Sequence, residues 1–216
     1  MIISHKLKCI FVAIPKTATH AIRFSLRKYM DEGTDWEQVG LFVKKSLPID
    51  EIAKVEHGHI TCREIQPFLD SALWESYFKF AVVRNPYDRF VSFCAFINRA
   101  DLNFAKQPLP KMKQTIEDKA VQQRILFRPQ YEFVTDVDKN LLVDFVGRYE
   151  QLQEAYNQVC TQLNIPNTKL TKINRSIHKP FAEYYDEELR QAVFAFYRQD
   201  FELFGYAESL DESLSS

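Results

Sequence analysis

Lys16 follows directly on the apolar run Cys9-Ile10-Phe11-Val12-Ala13-Ile14, with Pro15 before it and Thr17 and Thr19 beyond it. A helix-like stretch comes next. A strand that hands a cation and hydroxyls to the start of a helix is the layout of an anion grip, because free N–H groups and the positive end of the helix dipole meet the ligand there. A second such end occurs at Val83-Arg84-Asn85-Pro86, and Ser92 lies eight residues past Arg84. Thr17, Thr19 and Ser92 could donate to phosphate oxygens. Taken singly, Lys16 also reads as a surface lysine at a strand end, and Arg84 as half of an ion pair with Asp88 one turn on. Taken together, the two ends fit a ligand with two anionic groups. The stretch IPKTATHA, residues 14–21, contains no glycine. It is therefore not the G-x-x-x-x-G-K-[ST] loop, and the kinase and dinucleotide glycine patterns are absent as well.

The five histidines are His5, His20, His57, His59 and His178. His57-Gly58-His59 is the best acid–base candidate. Residues i and i+2 of an extended or turn segment point to the same side, and Gly58 permits close approach of a substrate. Histidine is the side chain matched to proton transfer near neutrality. The bland alternative is two ordinary loop histidines, and His20 is a competing base by its place in the 14–21 stretch. A zinc site lacks a third ligand at suitable spacing, so no metal is expected. Arg175, Ser176, His178 and Lys179 form a late basic, polar segment, which on its own reads as a solvated turn before a helix. Arg124 and Arg128 could face an anionic acceptor, or belong to a solvated face with Glu117 and Asp118.

These groups need elements to carry them. The sequence predicts a first strand over 8–14, ended by Pro15, which has no N–H to donate. A helix is predicted over 18–30, with Ile22, Leu26, Tyr29 and Met30 on one face. Loop-rich sequence runs on to about position 50. Thr61-Cys62-Arg63-Glu64 matches a capping box, so a helix should start near Cys62 and run toward 69. The near-continuous apolar run 78–83 suits a buried parallel strand, followed by a helix over 88–98. Residues 101–110, with two prolines, read as a loop. Further helices are predicted over 114–127 and 150–163, a third strand over 141–146, and a last helix capped by Asp186. Strands alternating with helices argue for an α/β protein with a central, mainly parallel sheet, whose ligands sit beyond the carboxyl ends of the strands.

The bulk numbers set limits. At 216 residues, 46% hydrophobic, the chain fits one domain with a sizeable core, here 1–207, and a Ser- and acid-rich tail, 208–216, expected to be disordered. Net charge is -1, which leaves no whole-protein basic field for nucleic acid or membrane. No apolar run is long enough to span a bilayer. The four cysteines, with no C-x-x-C pair, fit reduced, buried thiols in a cytoplasmic protein.

In this order and spacing the motifs resemble a known family. IPKTATHA resembles the 5′-phosphosulfate loop of sulfotransferases, and VVRNPYDRFVSF their 3′-phosphate segment, with Arg84 and Ser92 in the matching places. HGHITCREI is similar to the His-Gly-His segment of the carbohydrate group that includes heparan 2-O- and chondroitin sulfotransferases (sulfotransferase family 2). NRSIHKPFAEYYDEELRQAVFAFYRQDFELFGY resembles the carboxyl-terminal part. The resemblance runs from about Lys8 to Tyr206. It implies a P-loop-like three-layer α/β fold and the donor 3′-phosphoadenosine 5′-phosphosulfate (PAPS), with transfer to a hydroxyl of a carbohydrate or glycoconjugate. It places Pro15, Lys16, Thr17, Ala18, Thr19 and His20 on the phosphosulfate, Lys16 on the leaving oxygen, and Arg84 and Ser92 on the 3′-phosphate. Arg175, Ser176 and Lys179 fall in a closing loop. His57 becomes the general base and His59 a second catalytic or acceptor-orienting group. The membrane anchor of Golgi members is missing, which suggests a soluble, bacterial-type enzyme. The family loop resembles P-K-T-G-G/T-T/S-S. Here Ala18 stands at the glycine, and an open N–H cradle is expected if Ala18 takes ordinary helical angles. Two other readings stand beside this one: a nucleotide-dependent kinase of related fold, which would need Mg²⁺ and an acidic residue after a strand, and a non-catalytic nucleotide-binding module.

Overall fold

The computed structural model describes residues 1–40, 45–170 and 179–210. In chain order the elements are β1 (Ile2–Ser4), β2 (Cys9–Val12), α1 (Thr19–Leu26), β3 (Trp36–Glu37), α2 (Asp50–Ala53), α3 (Cys62–Ile65), α4 (Ser71–Ser76), β4 (Phe78–Val83), α5 (Pro86–Ile97), α6 (Leu102–Lys106), α7 (Pro108–Glu117), α8 (Lys119–Gln122), α9 (Tyr131–Val134), β5 (Phe145–Arg148), α10 (Leu152–Gln162) and α11 (Glu187–Phe204). The protein is mixed α/β. It falls into two compact units, one formed by Met1–Val83 and Gln130–Ile173, the other by Arg84–Pro129 and Asn174–Ser216, over their described residues.

The first unit carries the sheet, in the order β3-β1-β2-β4-β5. The β2, β4 and β5 strands run parallel, with Val12 opposite Ala81 and Val83 opposite Arg148. β1 is antiparallel to both β2 and β3. The sheet is therefore mixed, where a mainly parallel one was expected. The β1–β2 turn is short enough for a hairpin, and hairpins are antiparallel. β4 covers 78–83 as predicted, because a run buried on both faces needs no polar alternation. Its one charge, Lys79, is satisfied: Nζ donates to the Trp74 and Tyr77 carbonyls at 3.0 and 2.9 Å and pairs with Asp144 at 3.1 Å. Phe11 stacks on Phe80 across the parallel pair, with ring centroids 5.1 Å apart. Ile22 and Leu26 of α1 and Tyr156 and Val159 of α10 join the same core. The third strand lies later than its predicted 141–146, because Leu141 is used in an isolated bridge to Thr135.

The second unit is helical. Its core gathers Tyr87, Phe90 and Phe93 of α5, Phe127, and Val193 and Phe201 of α11. Arg89 is almost wholly buried there, donates to the Arg128 carbonyl at 2.8 Å, and lies over the Tyr197 ring. Residues 101–110 are not a loop. They form α6 and the start of α7, because Pro108 and Pro110 fall in the first turn, where a missing N–H costs nothing. The helix predicted over 114–127 is instead the end of α7 plus α8, because the Asp118 side chain accepts from Ala120 and Val121 N–H and starts a new helix. Asp186 caps α11 as expected. The tail predicted over 208–216 lies outside the described residues from 211 onward. Among the described residues no helix is long and apolar enough to cross a membrane.

Candidate active site

In the first unit β2 ends at Val12, and the chain turns through Pro15-Lys16-Thr17-Ala18 into α1. Lys16 has φ 69° and Ala18 φ 62°, ψ 29°, both left-handed. This corrects the expectation of ordinary helical angles at Ala18: the turn does require positive φ and obtains it from two residues that carry a Cβ. Left-handed angles cost an L-residue roughly 1–2 kcal/mol each. Thr17 is buried, and its Oγ1 donates to the Ile14 carbonyl at 2.9 Å, which latches the turn to the strand end. Among the described residues, the backbone N–H groups of Thr17, Ala18, Thr19 and His20 meet no hydrogen-bond acceptor. Successive N–H groups left open at a turn with left-handed residues are what an anion-binding nest is made from. The turn thus leaves four N–H groups open without glycine. Lys16 is half-buried beside it, Pro15 and Thr19 are buried, and His20 is exposed. Partial desolvation, then Arg23, Arg27 and Lys16, hold the His20 imidazole below its usual pKa.

The histidine pair belongs to the same unit. Thr61 caps α3 in the predicted box, accepting from Glu64 N–H at 3.1 Å while Glu64 accepts from Thr61 N–H at 2.8 Å. That box fixes where the segment ahead of it enters. His59 Nδ1 lies 2.7 Å from the Ala13 carbonyl oxygen. A carbonyl can only accept, so Nδ1 carries the proton and Nε2 keeps its lone pair. His57 Nδ1 accepts from the His59 backbone N–H at 3.3 Å. In neutral His57 the proton therefore sits on Nε2. The rings are 6.3 Å apart. Desolvation pushes the His59 pKa down to about 3 against the opposing Ala13 bond, with the Met1 amino group, Arg23 and His57 adding to the effect. His59 is a neutral imidazole with a bare Nε2 throughout the physiological range.

Arg23 of α1 escaped sequence reading. It is buried and donates to Glu37 at 3.1 Å, the Gln38 carbonyl at 2.8 Å and the Gly58 carbonyl at 2.9 Å. Arg27 closes on the other face of Glu37 with two bonds of 2.9 Å. The Met1 amino group also donates to the Gly58 carbonyl. A signal was available: Thr19, Ile22, Arg23 and Leu26 share one helical face, and a cation on a buried face demands partners.

The second grip lies in the other unit. Arg84 follows β4 directly and is buried, with Nε 2.7 Å from Asp88 Oδ2. The ion pair that sequence alone offered as the plain alternative is present. Asn85 caps α5 by accepting from Tyr87 N–H, Pro86 takes the first turn, and Ser92 is buried further along the helix. Lys179 is exposed and 3.5 Å from Glu183. Arg175, Ser176 and His178 lie outside the described residues.

A family model described as the sulfotransferase family matches residues 1–207. The chain belongs to the sulfotransferase family. The resemblance to that family is thereby met, and the match supports sulfotransfer activity. An uncharacterised protein of Archaeoglobus fulgidus is 30% identical over 104 residues, which is 47% of this chain and 80% of that protein. No solved structure matches at a significant level. Among the described residues of this sulfotransferase-family chain, no group of three or more His, Cys, Asp or Glu side chains could hold a metal ion.

Proposed function

We propose that the chain, acting as one P-loop-like sulfotransferase domain over 1–207, transfers the sulfuryl group of PAPS to a hydroxyl of a carbohydrate or glycoconjugate. The observation that carries this reading is the open N–H nest at 17–20, beside Lys16 and in the same unit as a neutral histidine with a bare Nε2. PAPS supplies an activated sulfuryl group on a phosphate leaving group. The fit rests on the nest, which an anionic phosphosulfate would fill. Lys16 and the nest N–H groups take up the charge that collects on the bridging oxygen as the S–O bond breaks. Sulfuryl transfer shares with phosphoryl transfer its reliance on positioning and charge stabilisation. As the acceptor oxygen bonds to sulfur, its proton must leave. The resemblance puts that task on His57. The hydrogen bonds favour His59, whose Nε2 presents a lone pair, whereas His57 presents an N–H that can orient the acceptor or the sulfuryl oxygens. Arg84 and Ser92 take the 3′-phosphate, and Arg175, Ser176 and Lys179 the closing role. A reducing, cytoplasmic setting belongs to the same reading, supported by four buried free cysteines.

The test is transfer of label from PAPS to a panel of polysaccharides, followed by mass spectrometry for the added sulfate. Transfer should be lost in Lys16→Ala and in His59→Ala, with adenosine 3′,5′-bisphosphate still bound by the histidine variant. Label transfer that survives both substitutions would sink the assignment.

A further inference from the structure

We propose that Arg23 is the positioning residue of the histidine pair, acting through the single peptide unit that joins Gly58 to His59. This rests on the reading that His57 and His59 are the acid–base groups. The carbonyl oxygen of that peptide accepts from Arg23 Nη2 at 2.9 Å. Its N–H, on the opposite side of the same plane, donates to His57 Nδ1 at 3.3 Å. One peptide plane therefore ties the guanidinium to the tautomer of His57 and to the placement of His59. His59 is held again at its ring by the Ala13 carbonyl. Rotation of the plane would release the His57 bond and swing the His59 ring off Ala13.

The guanidinium is itself held. Glu37 and the Gln38 carbonyl fix Nη1, and α1 places Arg23 one turn beyond the 15–18 turn. A movement of that turn is thereby passed to the histidines through one rigid side chain. The glycine between them is needed for this contact: a Cβ at Gly58 would sit 2.8 Å from Arg23 Nη2 and 2.3 Å from the Gln38 carbonyl oxygen. From the other side, a Cβ at Gly40 would meet His57 Cα at 2.6 Å, so the backbone at 57 is packed closely there as well. A cationic donor on the carbonyl also polarises the peptide and strengthens its N–H as a donor to His57. Lysine cannot reproduce this, because it lacks the planar fork that spans Glu37, Gln38 and Gly58 together.

The experiment uses Arg23→Lys and Arg23→Gln in the whole chain. Four quantities are measured: the melting temperature, the affinity for adenosine 3′,5′-bisphosphate, the ¹⁵N shifts of the His57 and His59 rings, and the release of bisphosphate from PAPS with a mixture of chondroitin and heparosan. In the native protein the shifts should report Nε2–H on His57 and Nδ1–H on His59. In folded variants, His57 should become a tautomer mixture and kcat fall on the order of a hundredfold, with bisphosphate affinity unchanged. Native ring shifts and native kcat in either folded variant would overturn the proposal. If neither variant folds, Arg23 is a fold-holding ion pair and the proposal fails. His59→Ala separates the two levels: full turnover in that variant would remove the catalytic reading, while the tautomer shifts in the Arg23 variants would still report the positioning.

Discussion

His59 donates its Nδ1 proton to the carbonyl of Ala13, 2.7 Å away, at the point where the chain leaves β2 for the turn through Lys16 and Ala18. One bond thus fixes the tautomer of a histidine and ties it to the strand end that leads into the 15–18 turn. Taken alone the Ala13 bond favours the protonated ring, but burial opposes the charge more strongly, so the bond orients a neutral imidazole rather than an imidazolium.

The first prediction concerns the pH profile. With a His59 pKa of about 3, the bare Nε2 is present far below neutrality. If His59 is the base, kcat/KM for the acceptor stays level as pH falls from about 8 to about 5, since that ratio reports the free enzyme. A descending limb within that range would show that a group other than His59 is the base. Initial rates across buffers of constant ionic strength decide it.

The same shift affects stability. Unfolded His59 takes a proton once pH falls below 6.5, while the folded residue stays neutral down to about 3. In that window the unfolded state binds more protons, so stability falls as pH falls, by at most about 1.4 kcal/mol per pH unit from this group. The stabilisation is fully present above the unfolded value. His20, whose pKa is also lowered, contributes with the same sign. Urea midpoints between pH 7 and pH 4 should decline less steeply in His59→Gln than in the native protein. Parallel declines would show that His59 is not the group responsible.

Much of the frame was legible because it follows from patterns with a local cause. The 78–83 run is apolar throughout, Thr61 and Glu64 have the spacing of a capping box, and Asp186 precedes an amphipathic stretch. What stayed hidden has non-local causes. β1 and β3 span only Ile2–Ser4 and Trp36–Glu37, too short for any periodicity, and exist because a neighbour supplies their hydrogen bonds. Pro108 and Pro110 read as breakers because a proline's effect depends on whether it falls in the first turn. In the site, the residue types of the cradle and the histidine pair stood out. The left-handed angles at Lys16 and Ala18 did not, since glycine is their usual marker. The Gly58 peptide that joins Arg23 to His57 is a tertiary contact with no sequence signature of its own.

Ala18 gives the third prediction. Its φ of 62° is a conformation that glycine adopts without penalty. Ala18→Gly should relieve roughly 1–2 kcal/mol of strain, partly offset by the extra freedom of glycine in the unfolded chain. The net effect expected is a stabilisation of a few tenths of a kcal/mol up to about 1 kcal/mol, or up to about 2–4 °C in melting temperature for a chain of this size. Bisphosphate affinity should be retained, because the nest N–H groups stay in place. Ala18→Val should destabilise, as a branched side chain tolerates these angles least. A clear loss of melting temperature in Ala18→Gly would mean that the left-handed turn is not the solution conformation.

Arg84 gives the fourth. Its Nε is held by Asp88 at 2.7 Å, which presents a fixed guanidinium at the start of α5. Asp88 Oδ1 is buried and has no hydrogen-bond partner among the described residues, so the carboxylate keeps unspent acceptor capacity on that side. If Arg84 reads the 3′-phosphate, its removal should cost bisphosphate binding and leave 5′-AMP binding nearly untouched. A charge-assisted hydrogen bond contributes about 1.5–3 kcal/mol, which corresponds to roughly a ten- to hundredfold weaker Kd for the bisphosphate in Arg84→Ala. Arg84→Lys should recover only part of this, since an ammonium cannot bond Asp88 and a phosphate with the same fork. Calorimetric titration of both nucleotides into both variants measures the discrimination directly. Equal losses for 5′-AMP and the bisphosphate would show that Arg84 supports the fold of the second unit and does not recognise the 3′-phosphate.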